Sequence, residues 1–416
     1  MRKLIPILAA LLLSSGLAQT QDPPEIPAPT SNFRYSIGGV LEATLRLNSN
    51  GTATGTTSFT LKFNGSLGTE DFPDATFSAN LRSSFDAATG ATRINLGETV
   101  LTAYLGDLDL SAGNLIINWG SVDVLGVVNT INPIDANSLE RIAIPAVRAT
   151  WNISKSVKLE GVIAPGFTPS TLPTAAGAMP ATAPGVTIVG QDPTLDNRPT
   201  ATLENAQYGL RFTSALSVFD GGDISFSFYG GPRHTPTLTI KLNPTAQAGQ
   251  FTAQAVLNYD WIHVIGLDTN LTIGSVAVRA EAAYTFTQDP NGTNPSIGNP
   301  SLEGTVQTEF TVGGINLTGL LNSRWQRGET GTPDAFGINL GLIASSELDA
   351  RTTIAGAWLQ SLTDGSGTIR PNLSYTLSDG FKLEVSAGLN YGRLGSSLNP
   401  TGLFEAQVRL GLKLSF

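Results

Sequence analysis

The chain ends in the stretch FEAQVRLGLKLSF, which covers residues 404–416. Apolar side chains alternate in it with polar side chains or glycine, from Phe404 to the terminal Phe416. A period of two residues is typical of a β-strand that has one apolar and one polar face. The end of the chain therefore predicts an amphipathic strand.

The same alternation recurs through the rest of the chain. It is clearest in the segments 33–47, 59–67, 276–286 and 381–391. A soluble β-sandwich also has strands with one polar face, so a single segment does not decide the class of protein. The repetition of the pattern, taken with the connections between the segments, does.

These connections alternate between short and long. Tight turns are predicted at 273–275, 313–314 and 378–380, and long polar loops at 288–302 and 327–335. Short turns at one rim and long loops at the other are typical of outer-membrane barrels, whose strands need about 9–11 residues to cross the membrane. The sequence therefore predicts an all-β fold, a single transmembrane, antiparallel, up-and-down β-barrel of about 18 strands, with 16 as the alternative. Its short turns are expected to be periplasmic and its long loops extracellular.

Two further predictions concern the middle of the chain. The segment 251–272 is predicted to be one unusually long strand. The proline-rich connection 165–203 shows neither a helical nor a strand period and is predicted to be a loop.

Composition favours a membrane barrel over a soluble enzyme. The 416 residues include 45 glycines, two histidines and no cysteine. Only 14% are charged, whereas soluble proteins average roughly 25%. A chain without cysteine forms neither disulfides nor thiolate metal sites. Low charge with near-neutral mean hydropathy is expected when lipid-facing and water-facing residues alternate.

Residues 1–18 have the features of a signal peptide. A basic pair and an apolar run at 4–13 precede small residues up to Ala18, after which cleavage is predicted. Residues 19–32 are rich in proline and are predicted to be disordered, and the barrel is predicted at 33–416. Cleavage would leave 22 basic and 33 acidic residues, a net charge of −11.

The terminal Phe416 resembles the assembly signal that the outer-membrane insertion machinery recognises in barrels. After the signal peptide, no apolar run reaches the roughly 20 residues of a membrane-spanning helix. The chain is therefore predicted to reside in the outer membrane, with outer-membrane lipid and the barrel-assembly machinery as partners. Whether it forms a homo-oligomer, such as a trimer, is left open by the sequence.

The polar faces of the strands are expected to line a water-filled lumen, because barrels of about 16–18 strands enclose an aqueous channel. The charged residues predicted to face this lumen are Arg34, Glu42, Arg46, Arg279, Glu281, Arg324 and Arg351. If acidic residues line the path, the net charge of −11 predicts a mild preference for cations.

The segment from Trp119 to Arg148 contains the third long loop and is too apolar to extend into water. We expect its apolar side chains to pack against the barrel wall, so that its charged side chains narrow the pore. These charged residues are Asp123, Asp135, Glu140 and Arg141. The alternative is a loop that caps the outer rim.

Part of this segment also carries a resemblance. Trp119-Gly120, followed by INPID at residues 131–135, resembles the motif of a largely uncharacterised, porin-like family of Gram-negative outer-membrane β-barrels. The segment from Gly266 to Tyr284 is similar to a later strand pair of that family. The resemblance implies a barrel in the outer membrane and defines no solute.

Enzyme chemistry is not expected. His234 and His263 have no serine-containing nucleophile motif beside them, so no catalytic residue, metal site or cofactor is predicted. The excess of acidic residues disfavours nucleic acid as a partner. Residues 19–32 are too few for an N-terminal plug domain.

The sequence therefore predicts a channel-forming, porin-like outer-membrane protein for passive diffusion of small hydrophilic solutes or ions. The alternative is a structural or surface-interaction barrel with an occluded lumen.

Overall fold

Eighteen antiparallel strands pair in ring order, and the last strand closes the ring on the first. The computed structural model describes residues 33–48, 53–68, 73–87, 89–135, 140–171, 186–191, 197–200, 202–244, 251–393, 396, 398 and 406–415. The final strand pairs with both of its neighbours, so the sheet has no free edge. The prediction of a closed 18-stranded barrel is confirmed.

The barrel strands in the first half of the chain are β1 (Phe33–Asn48), β2 (Ala53–Gly68), β3 (Pro73–Asp86), β4 (Thr92–Leu105), β5 (Leu108–Leu115), β6 (Ile144–Asn152), β7 (Val157–Ala164), β9 (Gln207–Leu216) and β10 (Gly222–Pro232). Those in the second half are β13 (Trp261–Ile273), β14 (Val276–Thr287), β15 (Ser301–Val312), β16 (Ile315–Gln326), β17 (Ala335–Glu347), β18 (Thr352–Ser361), β19 (Gly367–Ser378), β20 (Phe381–Tyr391) and β21 (Ala406–Ser415).

Cross-strand register assigns the strand residues to two faces of the wall. Large apolar side chains such as Ile37, Leu210 and Ile265 are exposed on the outer face, as contact with lipid requires. Polar side chains such as Ser225 and Thr305 lie on the inner face and are buried. The alternation in the sequence is therefore the alternation between lipid and lumen.

Aromatic side chains gather on the outer face near both rims. Tyr208 contacts Phe228 and Trp261 near the rim that carries the long loops. Tyr35 stacks with Phe63 near the opposite rim. Two such belts are typical of barrels that span a membrane.

Tight turns join the strands at the rim where the described chain begins. The predicted turns at 273–275 and 378–380 are confirmed. β15 and β16 are joined by Gly313 and Gly314 alone, with φ values of 58° and 82°. Two consecutive positive φ angles match the twist of a two-residue hairpin, and glycine adopts them without strain.

A second sheet of three short strands forms within two long connections. Its strands are β8 (Val186–Gln191), β11 (Thr237–Pro244) and β12 (Phe251–Asn258). β12 pairs in parallel with β8 and in antiparallel with β11. The prediction that 165–203 has no strand is therefore wrong at β8.

The prediction of one strand over 251–272 is also wrong, because the chain joins the barrel wall only after Asp260. The backbone oxygen of Asp260 accepts a hydrogen bond from the Arg233 amide at 2.8 Å, and its carboxylate pairs with the Arg233 guanidinium at 3.2 Å. These contacts join the two ends of the segment that contains β11 and β12.

Several predicted features lie outside the described residues. They are the signal peptide at 1–18, the proline-rich segment at 19–32 and the terminal Phe416. Arg46 lies in β1, but its side chain is also outside the description. Among the described residues, no helix is long and apolar enough to cross a membrane.

Candidate functional site

The connection between β5 and β6, residues 116–143, folds into the barrel and is called the inner loop below. Its Trp119, Val128 and Ile131 are buried. They form one apolar cluster with residues of the barrel strands and the loop base: Leu115, Ile117, Ile144, Ala146, Val162, Ala164, Tyr229, Ile262, Val264 and Ala283. The loop therefore lies inside the lumen and does not cap the rim.

Glu281 on β14 anchors the inner loop through its carboxylate. Its oxygens accept hydrogen bonds from the backbone amides of Val122, Val127 and Val128 at 2.7, 2.6 and 3.0 Å. The carboxylate is buried, so these donors replace the water that an ionised group needs. Gly120, at a φ of 94°, leaves room for it, because an added Cβ would lie 2.4 Å from a Glu281 oxygen.

Asn132 ties the two ends of the inner loop together. Its Oδ1 accepts a hydrogen bond from the Ile117 amide at 2.7 Å. Its Nδ2 donates to the backbone oxygens of Leu115 and Ile142 at 2.9 and 3.0 Å. The next residue, Pro133, is buried, and its carbonyl accepts from the Ile142 amide at 2.8 Å. The Asn-Pro pair thus closes the neck of the loop.

Trp119 fixes the inner loop to the wall on the side of β7 and β9. Its indole Nε1 donates to the carboxylate of Glu160 on β7. Gly209 on β9 lies against the ring, and an added Cβ there would approach a ring carbon to 2.6 Å. A glycine at this strand position permits the close approach of a large side chain.

The inner loop reaches two nearly opposite parts of the wall. At one end, Asp123 pairs with Arg279 on β14 and accepts a hydrogen bond from Gln307 on β15 at 3.2 Å. At the other end, Glu140 pairs with Arg82 on β3 at 2.7 Å. β3 and β14 are eight places apart in a ring of 18 strands. The loop therefore crosses the lumen.

The four residues predicted to narrow the pore fall into two groups. Asp123 lies at the β14 end. Asp135, Glu140 and Arg141 are neighbours in the backbone, where the Asp135 amide donates to the Glu140 carbonyl at 2.8 Å. Of their side chains, Glu140 reaches β3, the Asp135 carboxylate accepts from the Thr171 hydroxyl at 3.1 Å, and Arg141 donates to the Asn129 carbonyl at 3.0 Å. The side chains of Asp123 and Glu140 are 68% and 61% exposed, so both face open space.

Five of the seven charged residues predicted to face the lumen have described side chains at inward positions of the strands. They are Arg34, Glu42, Arg279, Glu281 and Arg324. Glu42 pairs with Lys413 at 3.3 Å, and Arg324 pairs with Glu303 at 3.2 Å. Arg351 lies instead in the exposed turn before β18, which begins only at Thr352.

Asp268, a buried carboxylate beside the anchor, was not singled out from the sequence. It lies opposite Glu281 in the register and pairs with Arg211 on β9 at 2.7 Å. Arg211 also donates to Ser225 at 3.0 Å. A single arginine thus offsets the charge of a carboxylate that has no exposed surface.

The two histidines occupy structural positions. The imidazole Nδ1 of His234, in the loop after β10, lies 2.7 Å from the Thr168 carbonyl, and the ring stacks on Phe167. Burial lowers the pKa of His234, against the opposing effect of hydrogen bonds to backbone carbonyls. His263 lies on β13 between the rings of Phe228 and Trp261.

Comparison with known protein families gives a match that covers this whole region. A family model described as "Protein of unknown function (DUF1302)" matches residues 43–406. The chain belongs to this family. The matched range of the DUF1302 chain includes the inner loop and all but the ends of the barrel. No curated protein matched the sequence.

Solved structures from Pseudomonas aeruginosa share the fold of the DUF1302 chain. The outer membrane protein opdK is 10% identical, with a TM-score of 0.58, over 92% of this chain and 98% of that one. OccD3 (OpdP) is 10% identical, with a TM-score of 0.54, over 92% and 91%. OccK5 (OpdH) is 10% identical, with a TM-score of 0.54, over 92% and 98%. At a sequence identity of 10%, the similarity to these structures shows only a shared fold.

Proposed function

We propose that the chain is an outer-membrane channel through which small hydrophilic solutes or ions diffuse passively. The observation that carries the proposal is the inner loop, which is held inside a closed barrel at defined points and leaves polar wall uncovered beside it. A cavity of about 600 Å³ lies against the inner faces of β1–β4, where Arg34, Asn64, Thr76 and Glu98 line it. Such a passage needs no bond chemistry, since water, width and wall charge decide what passes.

The location in the outer membrane is part of this proposal. A closed barrel with an apolar outer face, two aromatic belts and short turns at one rim suits that membrane. In this arrangement the short turns face the periplasm and the inner loop enters from the outer side. Export would follow from the signal peptide at 1–18, and recognition of Phe416 by the barrel-assembly machinery would precede insertion.

The inner loop is proposed to set the width of the passage. Asp123 at one end, and Asp135, Glu140 and Arg141 at the other, would line the narrowest part. The contacts of Glu281 and Asn132 support this role, because a loop that sets a pore size has to be held in one position.

Planar-bilayer recording of refolded protein tests the proposal. We expect discrete, voltage-driven current steps of uniform size, because one loop position gives one pore width. The control is protein refolded and then boiled in detergent, which should give no steps. A correctly folded barrel that inserts without any steps would contradict the proposal and favour an occluded, structural barrel.

A further inference from the structure

The acidic residues of the inner wall on β7 and β13–β15 either hold the inner loop or pair with arginines of the wall. Glu281 binds loop amides, Glu160 binds Trp119, and Asp268 pairs with Arg211. Glu309 pairs with Arg279, which also binds Asp123. These carboxylates lie on the wall that the loop covers or contacts, so their charge contributes little to an open path.

The part of the wall formed by strands β19–β21 and β1–β4 is called the basic wall. The inner loop reaches it where Glu140 pairs with Arg82 and where the Ile116 amide donates to Glu98. We consider the inward strand positions of the basic wall that have a cross-strand partner and a described side chain. The basic residues at these positions are Arg34, Lys62, Arg82, Arg93, Arg370, Lys382 and Lys413. The acidic residues at such positions are Glu42, Asp86 and Glu384. Basic residues thus outnumber acidic ones.

The acids of the basic wall are also matched by partners. Glu42 pairs with Lys413 at 3.3 Å, and Glu384 pairs with Lys382 at 3.1 Å. Asp86 accepts a hydrogen bond from the Thr89 amide at 3.1 Å.

Two more acids lie at bulges of the basic wall. Glu98 accepts a hydrogen bond from the Ile116 amide at 3.2 Å. Asp74 lies at an irregularity near the turn end of β3.

Three basic side chains of the basic wall are not neutralised by an acidic partner among the described residues. Lys62, Arg93 and Arg370 are exposed, and within the described part of the chain none of them pairs with a carboxylate. They lie on β2, β4 and β19. Unpaired positive charge in a narrow, low-dielectric passage raises the local concentration of anions.

We infer that the basic wall makes the path selective for small anions; this rests on the proposed channel function. The net charge of −11 indicates cation preference only if acids line the path. Apart from Asp74, the acids named above bind the inner loop or a backbone amide, or pair with a lysine or an arginine. The positive charge of the basic wall stays in the path. Small anions, not cations, are the class of solute that this arrangement favours.

The reversal potential across a tenfold gradient of potassium chloride, and then of potassium acetate, tests this inference. We expect the sign for anion flow in both salts, with a chloride-to-potassium permeability ratio of roughly threefold. The double substitution Lys62→Gln and Arg370→Gln should lower the ratio by about half. Lys155→Gln removes a charge in the turn between β6 and β7 and should leave the ratio unchanged.

The outcomes separate the two proposals. Absence of any conductance would contradict the channel itself. Conductance with cation preference would leave the channel standing and overturn the anion assignment. If the double substitution does not lower the anion preference, residues outside the basic wall determine the selectivity. That result would overturn the role of the basic wall.

Discussion

Replacing Glu281 with alanine is expected to raise the single-channel conductance by roughly twofold and to make the open current noisier. The substitution leaves three backbone amides of the inner loop without an acceptor, and each buried, unpaired donor costs about 1–3 kcal/mol. The loop should then leave its position on β14, because water can satisfy those amides only if they move. The barrel should persist, since its strand pairing does not involve this carboxylate.

Glu303→Ala is the matched control for Glu281→Ala. Glu303 is also a carboxylate on the inner wall, but it pairs with Arg324 and not with the inner loop. Its removal should change conductance much less. Equal conductance and equal noise in Glu281→Ala and the unchanged protein would show that the contacts of Glu281 do not determine the pore width.

Replacing Asn132 with aspartate is expected to lower the free energy of unfolding by about 2–4 kcal/mol. The two side chains have nearly the same shape, but aspartate cannot donate to the backbone oxygens of Leu115 and Ile142 and would place a buried charge against both. Urea unfolding of the micelle-refolded protein measures the loss, with tryptophan fluorescence as the probe.

Asn372→Asp provides the comparison for Asn132→Asp, because Asn372 lies on an inward position of β19, away from the neck of the loop. Its unfolding midpoint should stay close to that of the unchanged protein. A destabilisation by Asn132→Asp no greater than that of Asn372→Asp would show that Asn132 does not hold the two ends of the inner loop together.

Much of the barrel could be predicted from the alternation of residues, because a strand between lipid and water has to alternate. The error at 251–272 has a physical cause: strands of the small sheet have the same period of two as strands of the barrel. β11 shows this plainly in the run TLTIKL at 237–242, which alternates although it lies outside the barrel. Periodicity alone does not tell which sheet a strand joins.

The contacts of the inner loop were harder to predict, because they join residues far apart in the chain. Glu281 was predicted to face the lumen, but nothing in the sequence pointed to the amides of Val122, Val127 and Val128 as its partners. One usable indication was the run IHVI at 262–265, where residues of both faces are apolar or aromatic. Such a run is expected where the inner face is covered, as it is by the inner loop.

A cross-link between loop and wall tests directly whether the inner loop lies inside the barrel. The chain has no cysteine, so Val128→Cys with Gly266→Cys introduces the only thiols. An added Cβ at Gly266 would lie 3.0 Å from Val128 Cγ1, within reach of a disulfide, and Ser227→Ala removes the hydroxyl that this Cβ would press on.

We expect this pair to form a disulfide in the refolded protein under mild oxidation, seen as a shift in electrophoretic mobility that a reductant reverses. The control pair, Val128→Cys with Gly341→Cys on β17, should not cross-link. No disulfide at 128 and 266 in a correctly folded barrel, with both thiols open to a maleimide, would show that the inner loop does not lie against β13.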